Sequence, residues 1–68
     1  MKVEYDKEAD AAYIYFKYPI LDGEAKRTIQ LNDNIVLDFD KDKKLIGVEI
    51  LDASSVLNRK ALLEVQSS

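Results

Sequence analysis

Apolar residues recur at every second position through most of the chain, which is the period of a half-buried β-strand. Val3 and Tyr5 alternate with Lys2 and Glu4 and predict a short first strand. In the following Asp6-Lys7-Glu8-Ala9-Asp10, the Asp6 carboxylate is suited to accept the free amides of Glu8 or Ala9, so one helical turn is expected. Residues 11–18 are rich in aromatic and β-branched types and read as a second strand, with Ile14 and Phe16 on one side and Tyr13 and Tyr15 on the other. Pro19 ends it, and Asp22-Gly23 supplies the positive-φ chemistry of a hairpin turn. Residues 25–31 form the return strand, with Ile29 and Leu31 on one face. After the turn formers Asn32-Asp33-Asn34, residues 35–39 and 45–50 supply two more alternating strands.

Beyond Leu51 the period changes. Asp52-Ala53-Ser54-Ser55 reads as a helix start with Asp52 as its cap, and Val56, Leu57, Ala61 and Leu62 or Leu63 form an apolar stripe broken at Asn58. Collected over the strands, one face carries Val3, Tyr5, Ile14, Phe16, Ile29, Leu31, Ile35, Leu37, Phe39, Ile46, Val48 and Ile50. The expected fold is therefore α+β: an antiparallel β-meander of about five strands, with a short N-terminal helical turn and a C-terminal helix packed on one sheet face. The pattern contains no linker or repeat, so residues 1–68 are expected to form one domain, in which residues 58–68 are a helical C-terminal extension.

The opposite sheet face is mixed. Tyr13, Tyr15, Val36 and Leu45 stand there among polar residues, and no sequence element remains to cover them. Contiguous uncovered apolar surface marks interaction sites, and Tyr is enriched at them. Size sharpens this expectation: a 68-residue chain has little core, and without Cys or His neither disulfides nor the usual zinc sites can reinforce it. An all-oxygen calcium or magnesium site and association with a second chain are the reinforcements left, and a homodimer is the first expectation.

Charge and chemistry narrow the classes further. The net charge of −3 opposes a generic nucleic-acid binder even though Tyr13 and Tyr15 could stack on bases. No run is apolar enough to span a bilayer or to act as a signal region, so a cytoplasmic location is expected. Asp38, Asp40, Asp42 and Glu49 repeat the ligand rhythm of a calcium-binding loop. Yet Lys43 stands where that loop needs glycine, lysines interleave the acids, and the flanks are strand-like. A polar hairpin turn accounts for the stretch better, with a divalent-cation site as the alternative. No catalytic constellation is found: the commonest general base and the thiol nucleophile are missing, and no glycine-rich phosphate loop exists. No cofactor is expected.

Tyr5-Asp6-Lys7-Glu8-Ala9-Asp10-Ala11-Ala12-Tyr13-Ile14 and Gly47-Val48-Glu49-Ile50-Leu51-Asp52-Ala53-Ser54 resemble the opening and closing motifs of the YuzE-like domain of unknown function, and the acidic hairpin between them is similar too. The resemblance covers residues 1–57 and brings no activity or ligand with it. It implies a small companion of other small proteins, with an antitoxin-like role as one form. The residues themselves point to a non-enzymatic interaction module that self-associates or binds a protein partner through Tyr13, Tyr15, Val36 and Leu45.

Overall fold

The computed structural model describes residues 1–67; Ser68, the last residue of the expected helical extension, lies outside the described residues. Five strands, β1 (Lys2–Asp6), β2 (Ala11–Tyr15), β3 (Arg27–Gln30), β4 (Ile35–Phe39) and β5 (Leu45–Ile50), form one antiparallel sheet in the order β1-β2-β5-β4-β3. This corrects the expected meander. The Asp22-Gly23 turn does form, with Gly23 at φ 78° and Glu24 N donating to Leu21 O at 3.0 Å, but it does not join neighbouring strands. It lies in a long connection that carries the chain from β2 to the far edge, as in a Greek key. Burial explains the order. Strand β5 holds buried Ile46 and Ile50 and takes the centre, whereas β3, with one large apolar residue in four, goes to the edge where all four residues are exposed.

The register aligns the apolar positions in rows across the whole sheet. Val3, Ile14, Val48, Leu37 and Ile29 stand side by side, one from each strand. Tyr5, Ala12, Ile50 and Ile35 form the next row on that face. Two helices follow, α1 (Ala53–Val56) and α2 (Arg59–Gln66). Ala53 and Val65 are buried against Ala12 and Ile50, with Val3, Tyr5, Ile14, Val48 and Leu62 packed around them. The chain breaks at Asn58 because that residue starts a second helix: its side chain accepts from Ala61 N at 2.8 Å.

Two local expectations change. Residues 7–10 make a hydrogen-bonded hairpin turn and no helix; Asp6 closes it by accepting from Glu8 N at 3.0 Å and Ala9 N at 3.3 Å. Asp52 stands at the N-cap of α1 in the left-handed region and makes no side-chain cap. Its carboxylate instead accepts from Asn34 Nδ2 at 3.1 Å. The capping comes from Asp10, far away in sequence. Asp10 Oδ1 accepts from Ser54 N at 3.1 Å, Oδ2 accepts from Ser54 Oγ at 2.5 Å, and its carbonyl accepts from Ala53 N at 2.8 Å. Tyr5 Oη donates to the same carboxylate at 2.8 Å. One acid therefore ties β1, the first hairpin and α1 together.

Asp10→Ala is expected to lower the melting temperature by several degrees, and by more than Asp52→Ala does. The Ser54 hydroxyl, followed by the Tyr5 phenol, holds the Asp10 carboxyl below the usual carboxylate range. A depressed folded-state value means that this stabilisation is present above the unfolded value of about 4 and is lost as pH falls through the folded one. Thermal melts from pH 7 downward should show the gap between wild type and Asp10→Ala closing below about pH 4. Equal losses for the two variants would contradict the assignment of Asp10 as the cap.

Candidate functional site

The face opposite the helices is built from two rows. Glu4, Tyr13, Glu49, Val36 and Gln30 form one, and Lys2, Tyr15, Gly47, Asp38 and Thr28 the other. Tyr13 does not stay in its own row. Its ring lies across Gly47 of β5, and its hydroxyl donates to Asp38 Oδ2 on β4 at 2.5 Å. Thr28 Oγ1 donates to the other oxygen, Oδ1, at 2.7 Å. A Cβ at Gly47 would collide with the Tyr13 hydroxyl and stand 2.7 Å from Cε1 and Cζ. The mid-strand glycine is thus explained by close approach of a side chain. Burial, then the hydrogen bond to Asp38 and its negative charge, pushes the Tyr13 phenol well above its ordinary value. This phenol is a fixed neutral donor and a poor base or nucleophile.

Tyr15 continues the aromatic row. Its hydroxyl donates to Glu4 Oε1 at 2.7 Å, its ring lies 4.6 Å from that of Tyr13, and Tyr18 meets it edge-on at 5.0 Å. Lys2 Nζ sits 4.8 Å above the Tyr18 ring. Beside them Glu4, Asp6, Tyr13, Glu49 and Leu51 border an open depression of about 570 Å³. The depression is acid-lined and open to solvent.

Of the four residues expected to form an interaction surface, Tyr13, Tyr15 and Val36 share this face and are half-buried by their own neighbours. Leu45 leaves the alternation. A bulge between the Asp38–Gly47 and Phe39–Leu45 pairs shifts the register by one, so Leu45 stands opposite Phe39 on the apolar side. The candidate cation ligands are also divided. Asp40 Oδ1 accepts from Asp42 N at 2.8 Å and Lys44 N at 3.0 Å, closing the hairpin turn in which Lys43 has φ 62°. Asp38 is engaged on the sheet, and Glu49 lies in the adjacent row. Among the described residues no group of three or more carboxylates is placed to hold a metal ion.

Large exposed apolar residues lie elsewhere. Phe16 (47% exposed), Ile29 (36%), Leu31 (61%) and Leu45 (40%) belong to the helix-bearing face of the sheet, on the part around β3 and the open end of β5. A shallow depression of about 200 Å³ between Ile29 and Phe39 is rimmed by Arg27 and Lys43. Alternation places Phe16, Ile29 and Leu31 on the apolar face and the bulge adds Leu45, yet the single terminal helix expected to cover that face is too short. Helix α2 has eight residues and packs beside β1, at the opposite edge. Among the described residues no helix is long and apolar enough to cross a membrane.

The uncharacterized protein MJ0789 of Methanocaldococcus jannaschii is 36% identical over 58 residues, which are 85% of this chain and 46% of that protein. The chain thus spans about half the length of that relative. No solved structure matches the chain. A family profile described as a protein of unknown function, DUF2283, matches residues 2–54. The matched stretch runs from the start of β1 to Ser54, so it holds all five strands, the Tyr13–Gly47–Asp38 crossing and both sides of the Asp10–Ser54 contact. The chain belongs to the DUF2283 family.

Proposed function

We propose that the chain is a non-enzymatic interaction module that self-associates at the β3 side of its apolar sheet face, in the part left open by the helices. The observation that carries this is the exposure of Phe16, Ile29, Leu31 and Leu45 on one side of one sheet. Isolated apolar residues at a surface are ordinary, but a contiguous set on a sheet face marks a contact surface. A second copy suits it because the patch is apolar, with Arg27 and Lys43 only at its rim. An isologous contact places the same patch on both sides, and apolar groups meet their own kind without like-charge repulsion. The tyrosine face supports this choice by contrast, since the Tyr13 and Tyr15 hydroxyls are engaged by Asp38 and Glu4 within the chain.

Sedimentation equilibrium from low to high micromolar concentration tests the proposal. The expected result is a monomer–dimer equilibrium that Leu31→Lys weakens about tenfold or more, because burying a leucine contributes about 1.5–3 kcal/mol and 1.4 kcal/mol is tenfold. Leu31 is largely exposed, so its substitution should leave the melting profile of the monomer intact. A chain that remains monomeric throughout, or a dimer indifferent to Leu31→Lys, overturns it.

A further inference from the structure

The open edge of β3 has a geometry of its own. Leu31 N donates to Ile35 O at 2.8 Å, which sets the phase of the ladder between β3 and β4. In an antiparallel pair the backbone groups of alternate residues point to the same neighbour. Residues 27, 29 and 31 therefore face β4, and the backbone N–H and C=O groups of Thr28 and Gln30 face outward. No other hydrogen bond among the described residues engages those groups. Natural edges are blunted by charges, proline or a covering element. The opposite edge follows that rule: β1 carries Lys2, Glu4 and Asp6 and has α2 packed beside it. Strand β3 carries one charge, Arg27, and stands next to the uncovered apolar patch.

Resting on the self-association proposed above, we infer that the partner is a second copy joined through β3, with Ile29 at a two-fold axis, so that two five-stranded sheets become one of ten strands. The register follows from the outward groups. An antiparallel pair centred on Ile29 sets Thr28 opposite the partner's Gln30 and uses all four outward residues of the two edges. Each such pair exchanges both backbone hydrogen bonds. Ile29 meets the partner's Ile29 as a closely spaced pair without hydrogen bonds, and the row from Val3 to Ile29 continues into its copy. Arg27 stands opposite the partner's Leu31. The two Arg27 side chains are four residues apart along the strand, about 14 Å, which exceeds the Debye length of about 8 Å at physiological salt. Charge complementarity favours the same arrangement. Lys26 and Arg27 at the start of one β3 approach the partner's Asp33, just beyond the end of the other.

Cysteine substitution reads this register directly, because the chain has no cysteine of its own. Across a closely spaced antiparallel pair the Cα atoms are about 4.5 Å apart, within disulfide range. Ile29→Cys is expected to form an interchain disulfide rapidly under mild oxidation. Leu31→Cys, although more exposed, is expected to form little, since its symmetry mate lies about 14 Å away. Gln30→Pro removes an outward N–H and leaves the β4 ladder intact, a placement that edge strands tolerate. Its dimer should weaken by tenfold or more, with the circular dichroism of the monomer unchanged. A dimer that cross-links at residue 31 and not at 29, or that ignores Gln30→Pro while remaining sensitive to Leu31→Lys, overturns the edge assignment and leaves self-association standing. Absence of any dimer overturns both. If the proline variant fails to fold, the two cysteine variants still decide the register.

Discussion

Gly47→Ala is expected to destabilise the fold by about 1–3 kcal/mol, the range for forcing an extra carbon into a packed site. The sign is diagnostic, because alanine ordinarily improves on glycine in a strand by about 0.5–1 kcal/mol. Here the new methyl would occupy the space of the Tyr13 ring. The ring has little room to yield: its hydroxyl is tied to Asp38 at 2.5 Å and Tyr15 flanks it at 4.6 Å. Relief requires the ring to swing out, which breaks the hydrogen bond and exposes the ring to water. Urea denaturation measures the loss, and a double-mutant cycle assigns it. In a Tyr13→Ala background the same glycine substitution should cost nothing or be mildly favourable. Alkaline spectrophotometric titration gives a second readout. The Tyr13 phenol is raised chiefly by burial, so the stability tied to it is complete below about pH 10 and declines as pH climbs through its folded value. In Gly47→Ala, Tyr13 should ionise nearer pH 10. A neutral Gly47→Ala substitution would contradict the placement of the ring over β5.

How much of this was legible beforehand depends on the range of each signal. Alternation is a local signal, and it placed Val3, Ile14, Ile29, Leu37 and Val48 on one face, where the register aligns them in a single row. It could not give neighbours. Any face-matched order of strands satisfies a period of two, so the meander and the observed order were equally compatible with it. The Asp22-Gly23 signal was sound for a turn and silent about which strands that turn would join. Leu45 was misplaced because one bulge residue inverts every assignment beyond it. Asp10 as the cap of α1 was out of reach, since its partner Ser54 is 44 positions away. Gly47 was different: a glycine inside an apolar strand signals a bulge or a close approach, and the approaching group, the Tyr13 ring, comes from the neighbouring strand and not from sequence neighbours. The uncovered patch follows from length, which periodicity does not report. Five strands need more cover than one short helix provides, and α2 is only eight residues long.

The same shortage of cover makes Ile50→Ala the severest expected substitution. Ile50 is 6% exposed, pairs with Ala12 and Ile35, and meets Ala53 and Val65 from the helical side. Two of those neighbours are alanines and cannot extend into a void. The cost should therefore approach the upper part of the usual range for such truncations, about 2–5 kcal/mol. A single core in a chain of this size rarely supplies more than about 3–5 kcal/mol. The isolated variant should accordingly be largely unfolded near room temperature, with circular dichroism losing its strand signal at low micromolar concentration. Self-association then makes a further demand. A dimer that binds only folded chains adds stability by mass action, and each tenfold rise in concentration is worth about 1.4 kcal/mol per dimer. Ile50→Ala should regain folded signal as concentration rises a hundredfold, and Ile50→Ala combined with Gln30→Pro should not. Wild-type melting behaviour in Ile50→Ala would refute the core described for this sheet. An unfolded variant that concentration fails to rescue would leave that core intact and count against the dimer.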